Sequence, residues 1–355
     1  MLKNVPREEI PADEDICSAE TLAALLDDAA VPDPQVIAAG DIMLDGRARE
    51  RVERFGPHSP FDAVRPLLRR APIVVGNLEG PFASVAERED RNYSYKVDPA
   101  LAGSLARAGI NVVTLANNHL LDCGRAGVLE TLDALRGANV AALGAGTNTA
   151  AAHAPVIARA GEARIGLLGY YWNRRTAATP DLPGSAMDSP DAVAADVRAL
   201  RARVDHVVVV AHWGVPYERE PSAEMRSKAR HAIDCGADAV VGHHPHIVQP
   251  FEVYRGRPIL YSIGNFAFGS GNSRAEGLLV GLSFAAAGTA VDIWPIYVKN
   301  RDPRVDYQPK VLRGAAGERV LRALAAMSGD HGRMLSVMDG RARLVLPAVP
   351  AVAHV

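Results

Sequence analysis

Ala239-Val240-Val241-Gly242-His243-His244-Pro245-His246 places three imidazoles directly behind a short apolar run. Small and β-branched residues that stop this abruptly read as a strand buried on both faces. Imidazole is the commonest neutral metal ligand, and His244 and His246 are spaced to aim two ring nitrogens at one point. A lone histidine pair is a weak sign, but here the pattern repeats. Val36-Ile37-Ala38-Ala39 ends in Gly40-Asp41-Ile42-Met43, and Ile73-Val74-Val75 ends in Gly76-Asn77-Leu78-Glu79. Val112-Val113-Thr114-Leu115 ends in Ala116-Asn117-Asn118-His119, with Asp122 close behind. Val207-Val208-Val209-Val210 ends in Ala211-His212-Trp213-Gly214, and Ile259-Leu260-Tyr261-Ser262 leads to Gly264-Asn265-Phe266.

Further runs at 140–143 and 165–168 complete the set, and amphipathic stretches separate the runs. These stretches cover 99–108, 124–136 (with Val128, Leu132 and Leu135 on one stripe), 190–203 and 222–235. Strand–helix alternation of this kind is an α/β architecture, in which ligands bind beyond the carboxyl ends of the strands. After Gly277 the pattern turns strand-rich, at 278–284, 290–298 and 343–346, with a helical stretch at 315–335. Segment 170–189 has neither period and reads as a long loop. Residues 1–34 read as an N-terminal extension and linker, with a short helix after the cap residue Ser18. The main domain then spans 35–300, and 301–355 add a helix and strand.

The chain has 355 residues, 48% of them apolar and 23% charged, with 39 basic and 41 acidic side chains. This is a globular composition without the cationic excess that nucleic acid or an anionic membrane demands. Cys17, Cys123 and Cys235 lack zinc-knuckle spacing. They read as buried thiols of a reducing compartment. No stretch reaches the roughly 18 apolar residues of a membrane span, and Met1 to Asp15 has no apolar signal region. The expected location is the cytoplasm.

Singly, Asp41 is a turn cap, Glu79 a solvated carboxylate, Asn118 a turn residue and His119 a surface ring. Jointly, five strand ends deliver metal-compatible side chains, whereas chance would scatter them along the helices too. Carboxylate, imidazole and amide oxygen together form a mixed oxygen and nitrogen set suited to Mn²⁺, Fe²⁺ or Zn²⁺. One or two such ions are expected.

The ordered motifs at 40–41, 77–79, 116–124, 212–214, 242–246 and 261–266 closely resemble the CapA family of poly-γ-glutamate capsule synthesis proteins, over roughly residues 36–270. That family is similar to the calcineurin-like metallophosphatases. The resemblance implies a sandwich of two β-sheets flanked by helices, with a dinuclear site at the strand carboxyl ends. It implies Asp41 and His246 on the first metal and Glu79 as the bridging carboxylate. Asn118, His212 and His244 fall on the second metal, and His119 becomes the uncoordinated acid or base. Asp122 joins the catalytic set or orients His119. His243 has no counterpart and is expected to support the ligands from behind. Trp213, Glu218, Arg174 and Asn265 are the expected substrate contacts.

This chain departs from the pattern in three ways. Met43 stands where metallophosphatases carry a histidine, although much of the CapA family shares that loss. Pro216 stands where CapA proteins carry a glutamate, with Glu218 two positions on as its substitute. Many capsule members are anchored or exported, and this chain shows neither signal. The implied activity is metal-dependent hydrolysis of a peptide or γ-glutamyl amide. Two alternatives share the site. One is peptide epimerisation of the lasso-peptide type, with His119 and His246 as opposed acid and base. The other is a non-catalytic accessory role in polyglutamate synthesis.

Overall fold

A computed structural model describes residues 10–27, 33–90, 92–270 and 275–349. Val31 and Pro32 of the expected linker lie outside them. Every apolar run named above forms a strand, and together the strands build two large sheets. The first sheet is centred on Val36–Met43, with Ile73–Leu78, Val112–Thr114 and Ala141–Leu143 parallel on one side. On its other side, Glu276–Ala285, Gly288–Tyr297, Arg341–Pro347 and Ser336–Met338 follow in antiparallel order. The second sheet runs Phe251–Tyr254, Arg257–Leu260, Ala239–His243, His206–His212, Ala163–Tyr171, Val156–Ala160.

Period-two alternation sorts the side chains into layers. Val36, Ala38, Ile73 and Val75 of the first sheet share a core with Val208, Val210 and Val241 of the second. The alternate residues Ile37, Ala39 and Val74 face outward onto Leu67, Leu105, Val128 and Leu135. Val207, Val209 and Val240 face outward onto Val197, Leu200, Met225 and Ile233 of helices Pro190–Arg201 and Ala223–Asp234. The result is helix, sheet, sheet, helix, the expected two-sheet sandwich. No helix among the described residues is long and apolar enough to cross a membrane.

The structure adds detail at three places. Ser18 caps helix Ala19–Leu26 through the Thr21 amide, but the segment is no loose extension. Cys17, Leu22 and Leu26 are buried in the main core, and the Cys17 amide donates to Val311. The expected loop at 170–189 begins only after Tyr171. Tyr170 and Tyr171 extend a strand, in register with Ala211 and His212. Helix Arg47–Phe55, not expected from the sequence, is strongly amphipathic, with Ala48 and Val52 four positions apart on its buried face.

Strand Asn265–Phe268 runs parallel to Val36–Met43 and brings Asn265 opposite Asp41. This approach requires Gly40. A Cβ there would stand 2.0 Å from the Gly264 carbonyl oxygen. Because the obstacle is backbone, Gly40→Ala is expected to cost about 3 kcal/mol in chemical denaturation. A loss below about 1 kcal/mol would show that the crossing can move aside.

The segment after Glu79 is held by Glu130 of helix Gly124–Gly137. Its carboxylate accepts the amides of Ser84, Val85 and Ala86. Those donors, Ser84 first, lower its pKa from 4.5 to about 2. A depressed acid contributes stability that is complete above its unfolded pKa and fades as pH falls through the folded one. Wild-type protein should therefore lose melting temperature more steeply than Glu130→Gln between pH 4.5 and 2. Parallel curves over that window would refute the clamp.

Candidate metal centre

Beyond the carboxyl ends of the parallel strands, both sheets deliver side chains into one buried cluster. Asp41 comes from the central strand, and Asn77 and Glu79 come from the end of its neighbour. Asn117, Asn118 and His119 follow Val112–Thr114. His212 and His243 close two strands of the second sheet, in register with each other. His244 and His246 lie in the turn beyond, both at left-handed φ, 96° and 56°. Such backbone costs about 1–3 kcal/mol per residue and persists where function over-determines it. A dihedral of this kind is not legible in His-His-Pro-His.

Glu79 is the centre of the arrangement. It is wholly buried, and its Oε1 has no hydrogen-bond partner. Four imidazole nitrogens surround that oxygen: His212 Nε2 and His246 Nε2 at 3.7 Å, His119 Nε2 at 3.9 Å and His244 Nδ1 at 4.0 Å. Those separations are too long for hydrogen bonds. His244 Nδ1 is likewise buried without a hydrogen bond, and Asp41 Oδ2 meets only the His246 ring. Buried polar atoms are nearly always satisfied, and such exceptions in one place fit a cation. Two ligand groups emerge, Glu79–His212–His244 and Asp41–Glu79–His246, each with donor atoms within 4.8 Å of one another. Glu79 belongs to both, as a bridging carboxylate must. Asn118 Oδ1 lies 2.7 Å from His212 Nε2, at the edge of the first group.

The surroundings orient these donors. Asn77 Nδ2 donates to Asp41 Oδ1 at 2.8 Å and Glu79 Oε2 at 3.3 Å, and lies 3.2 Å from His212 Nδ1. Asn117 in turn donates to Asn77 Oδ1. His246 Nδ1 points between Asn265 Oδ1 at 2.9 Å and Asp41 Oδ2 at 3.0 Å, which leaves Nε2 for the cluster. His243 Nδ1 stands 3.3 Å from Asp41 Oδ1, behind the ligands. His119 donates from Nδ1 to Asp122 Oδ2 at 2.7 Å, so its Nε2 keeps a free lone pair facing Glu79.

The charges divide unevenly. Burial pushes Glu79 up to about 7, against the pull of the His246 charge. Burial would raise Asp41 too, but the His243 and His246 rings hold it well below the carboxylate range. Burial depresses His212 strongly, and burial with the nearby His246 charge brings His244 down to about 4. His246 moves the other way. Burial opposes its charge, yet Glu79 and Asp41 raise it to about 9. Neutral rings at 212 and 244 are the form a metal binds.

Not every expected residue reaches the cluster. Trp213, expected at the substrate, is 4% exposed, and its indole donates to the Tyr261 carbonyl at 2.8 Å. Packing behind His212 consumes it. Arg174 and Glu218 stand exposed on loops, the latter held through its carbonyl by Gln249. Asp122 is buried and orients His119. The Cys123 thiol is buried and pushed up to about 11. Met43 turns its sulfur to the Asp45 amide at 3.2 Å. Sequence reasoning assigned no role to Asn77, although its place at a strand end was a usable signal. It also missed Tyr95, whose ring packs 4.5 Å from His119 and which lies in a stretch without periodicity.

A family model for bacterial capsule synthesis protein PGA_cap matches residues 35–270. The chain belongs to that family. The capsule biosynthesis protein CapA of Bacillus anthracis is 32% identical over 277 residues, covering 75% of this chain and 67% of its own. The PGA biosynthesis protein CapA of Bacillus subtilis is 32% identical over 272 residues, covering 74% and 71%. A probable polyglutamine synthesis accessory protein of Mycobacterium tuberculosis is 34% identical, covering 53% of each chain. Among solved structures, the sulfate thiohydrolase SoxB of Thermus thermophilus superimposes with TM-score 0.48 and 16% identity, over 81% of this chain and 50% of its own. A 5'-nucleotidase precursor of Thermus thermophilus gives 0.43 and 13%, over 88% and 54%. At those scores the architecture rests on its own sheets.

The PGA_cap chain should bind divalent ions through an oriented ligand set. Asn77→Ala leaves every ligand in place but frees three of them to turn. Manganese affinity by titration calorimetry should fall about 10- to 100-fold. An unchanged affinity would show that Asn77 does not orient the ligands.

Proposed function

We propose that the chain is a divalent-metal-dependent enzyme acting on an amide bond of a peptide or γ-glutamyl chain, with hydrolysis as its reaction. The observation that supports this reading is the buried, unpartnered Glu79 Oε1 with four imidazole nitrogens facing it. Asp41, Glu79 and His246 would hold one ion, and Glu79, Asn118, His212 and His244 the other, with manganese, iron or zinc matching the donor set. A bound divalent ion polarises a carbonyl and lowers the pKa of water.

The chain's own part is orientation and proton movement. Asp122 fixes the His119 ring so that Nε2 alone faces the cluster. That nitrogen can take a proton from water and return it to the leaving amine. Asn265 steadies His246. His243 backs Asp41 and keeps its carboxylate ionised. Glu218 and Arg174 stand on the loops where a substrate chain would pass.

One observation favours a second reaction on the same site. His119 and His246 belong to different segments, yet both turn Nε2 to the same Glu79 oxygen. In that reading the His246 nitrogen is not spent on an ion, and one ring would take the α-proton of a bound peptide while the other returned a proton to the opposite face. The name of the Mycobacterium tuberculosis relative, a probable polyglutamine synthesis accessory protein, supplies a third reading, an accessory role.

Metal analysis of purified protein, with turnover assays on poly-γ-glutamate, peptides and aryl phosphates in deuterated water, separates the three. Hydrolysis releases a new amine. Epimerisation incorporates deuterium without cleavage. An accessory role predicts that chelation lowers stability while no substrate turns over. His119→Asn is expected to reduce turnover about 100-fold with metal content unchanged. Equal turnover would remove His119 from the mechanism.

A further inference from the structure

Three loops leave the strand ends around the cluster, at 81–97, 172–183 and 214–221. Six of the fourteen exposed large apolar side chains among the described residues stand on them, including Trp172 at 46% and Tyr217 at 43% exposure. Of these, Trp172 and Tyr217 stand nearest the ligand set. The described residues of these loops carry six acidic and five basic side chains. A polyanion is held by cationic excess, and this rim has none.

Two of the aromatics flank the ligand set, Tyr217 directly and Trp172 through Tyr171. Tyr217 lies 6.2 Å from the His246 ring and is held at left-handed φ, 67°, with its amide bonded to the Pro245 carbonyl. Trp172 packs 5.8 Å from Tyr171, which itself meets His212 edge-on at 5.3 Å. Tyr170, by contrast, is buried and donates to Asp196. The two exposed rings therefore stand beside opposite halves of the ligand set. An Arg175–Glu89 contact at 3.5 Å links the loop behind Trp172 to the loop after Glu79.

We propose that Trp172 and Tyr217 are specificity-determining walls of a subsite for a large apolar side chain, so that the substrate is an uncharged peptide segment rather than a polyglutamate. This rests on the amide-directed reading above and narrows it to one substrate class. Flat, rigid rings grip such a side chain at small entropic cost.

The test titrates the full chain, with manganese supplied, against two probes. One is a series of N-acetylated tripeptide amides with Phe, Leu or Ala at the centre, and the other is penta-γ-glutamate. Trp213 and Trp294 are buried, so acrylamide quenching reports Trp172. The Phe peptide should protect Trp172 from quenching and bind about tenfold more tightly than penta-γ-glutamate. By titration calorimetry, which needs no tryptophan reporter, Trp172→Ala and Tyr217→Ala should each weaken it about tenfold, and Phe at either position should restore most of the affinity. Metal content, measured in parallel, should not change. Equal or tighter binding of penta-γ-glutamate, indifference to both alanine variants, or no peptide binding at millimolar concentration overturns the proposal. If no metal is bound, the amide-directed reading fails instead, and the quenching experiment still reports on the subsite.

Discussion

Asp41 and Glu79 are both fully buried between two sheets, and the site's design follows from that burial. An unpaired carboxylate withdrawn from water costs several kcal/mol. The protein meets part of that demand with Asn77, which donates to both, and part with His243 and His246 beside Asp41. Glu79 Oε1 is left facing only imidazoles at distances a hydrogen bond cannot span. Four rings held off one oxygen by 3.7–4.0 Å enclose room for positive charge. The strained backbone at His244 and His246 serves the same end, because a relaxed turn would direct those rings elsewhere.

The strands and their carboxyl-end side chains were legible because each apolar run is short, dense and punctuated. Val36 to Ala39 and Val207 to Val210 admit hardly any other reading. The ligand set followed from the family motifs and from the rule that α/β sheets bind beyond their strand ends. What stayed hidden was whatever depends on approach between distant segments. Gly40 reads as an ordinary glycine until Gly264 is seen against it. Trp213 reads as a substrate contact until Tyr261 is seen accepting its indole. The N-terminal segment reads as an appendage because its few apolar residues, Cys17, Leu22 and Leu26, give no measure of the groove that receives them. Helix Arg47–Phe55 was different: Ala48 and Val52 against a charged face give a clear amphipathic period that the sequence did offer.

Met43 shows how the departures fit. A thioether is a poor partner for a hard ion, and here its sulfur is turned to the Asp45 amide. Asp45 accepts the Lys96 amide and pairs with Arg49, so this corner is spent on holding the loop after Glu79. The Asp41 side of the cluster holds Asp41, Glu79 and His246, with His243 behind. The Glu79 half keeps two neutral rings and an amide oxygen.

Asp122 joins the chemistry to the rim. Its Oδ2 accepts both the His119 ring and the Tyr95 amide, and its carbonyl accepts the Glu89 amide and the Ser94 hydroxyl. One residue thus sets the direction of the proton-moving ring and the path of the loop that walls the site. Tyr95, carried by that loop, packs back onto the same ring. The loop cannot shift by an ångström without loosening the contact that aims His119 Nε2. A substrate that settles the loop therefore also settles the imidazole. Under the proposed reaction, recognition at the rim and proton movement at His119 would be coupled through the buried Asp122 carboxylate.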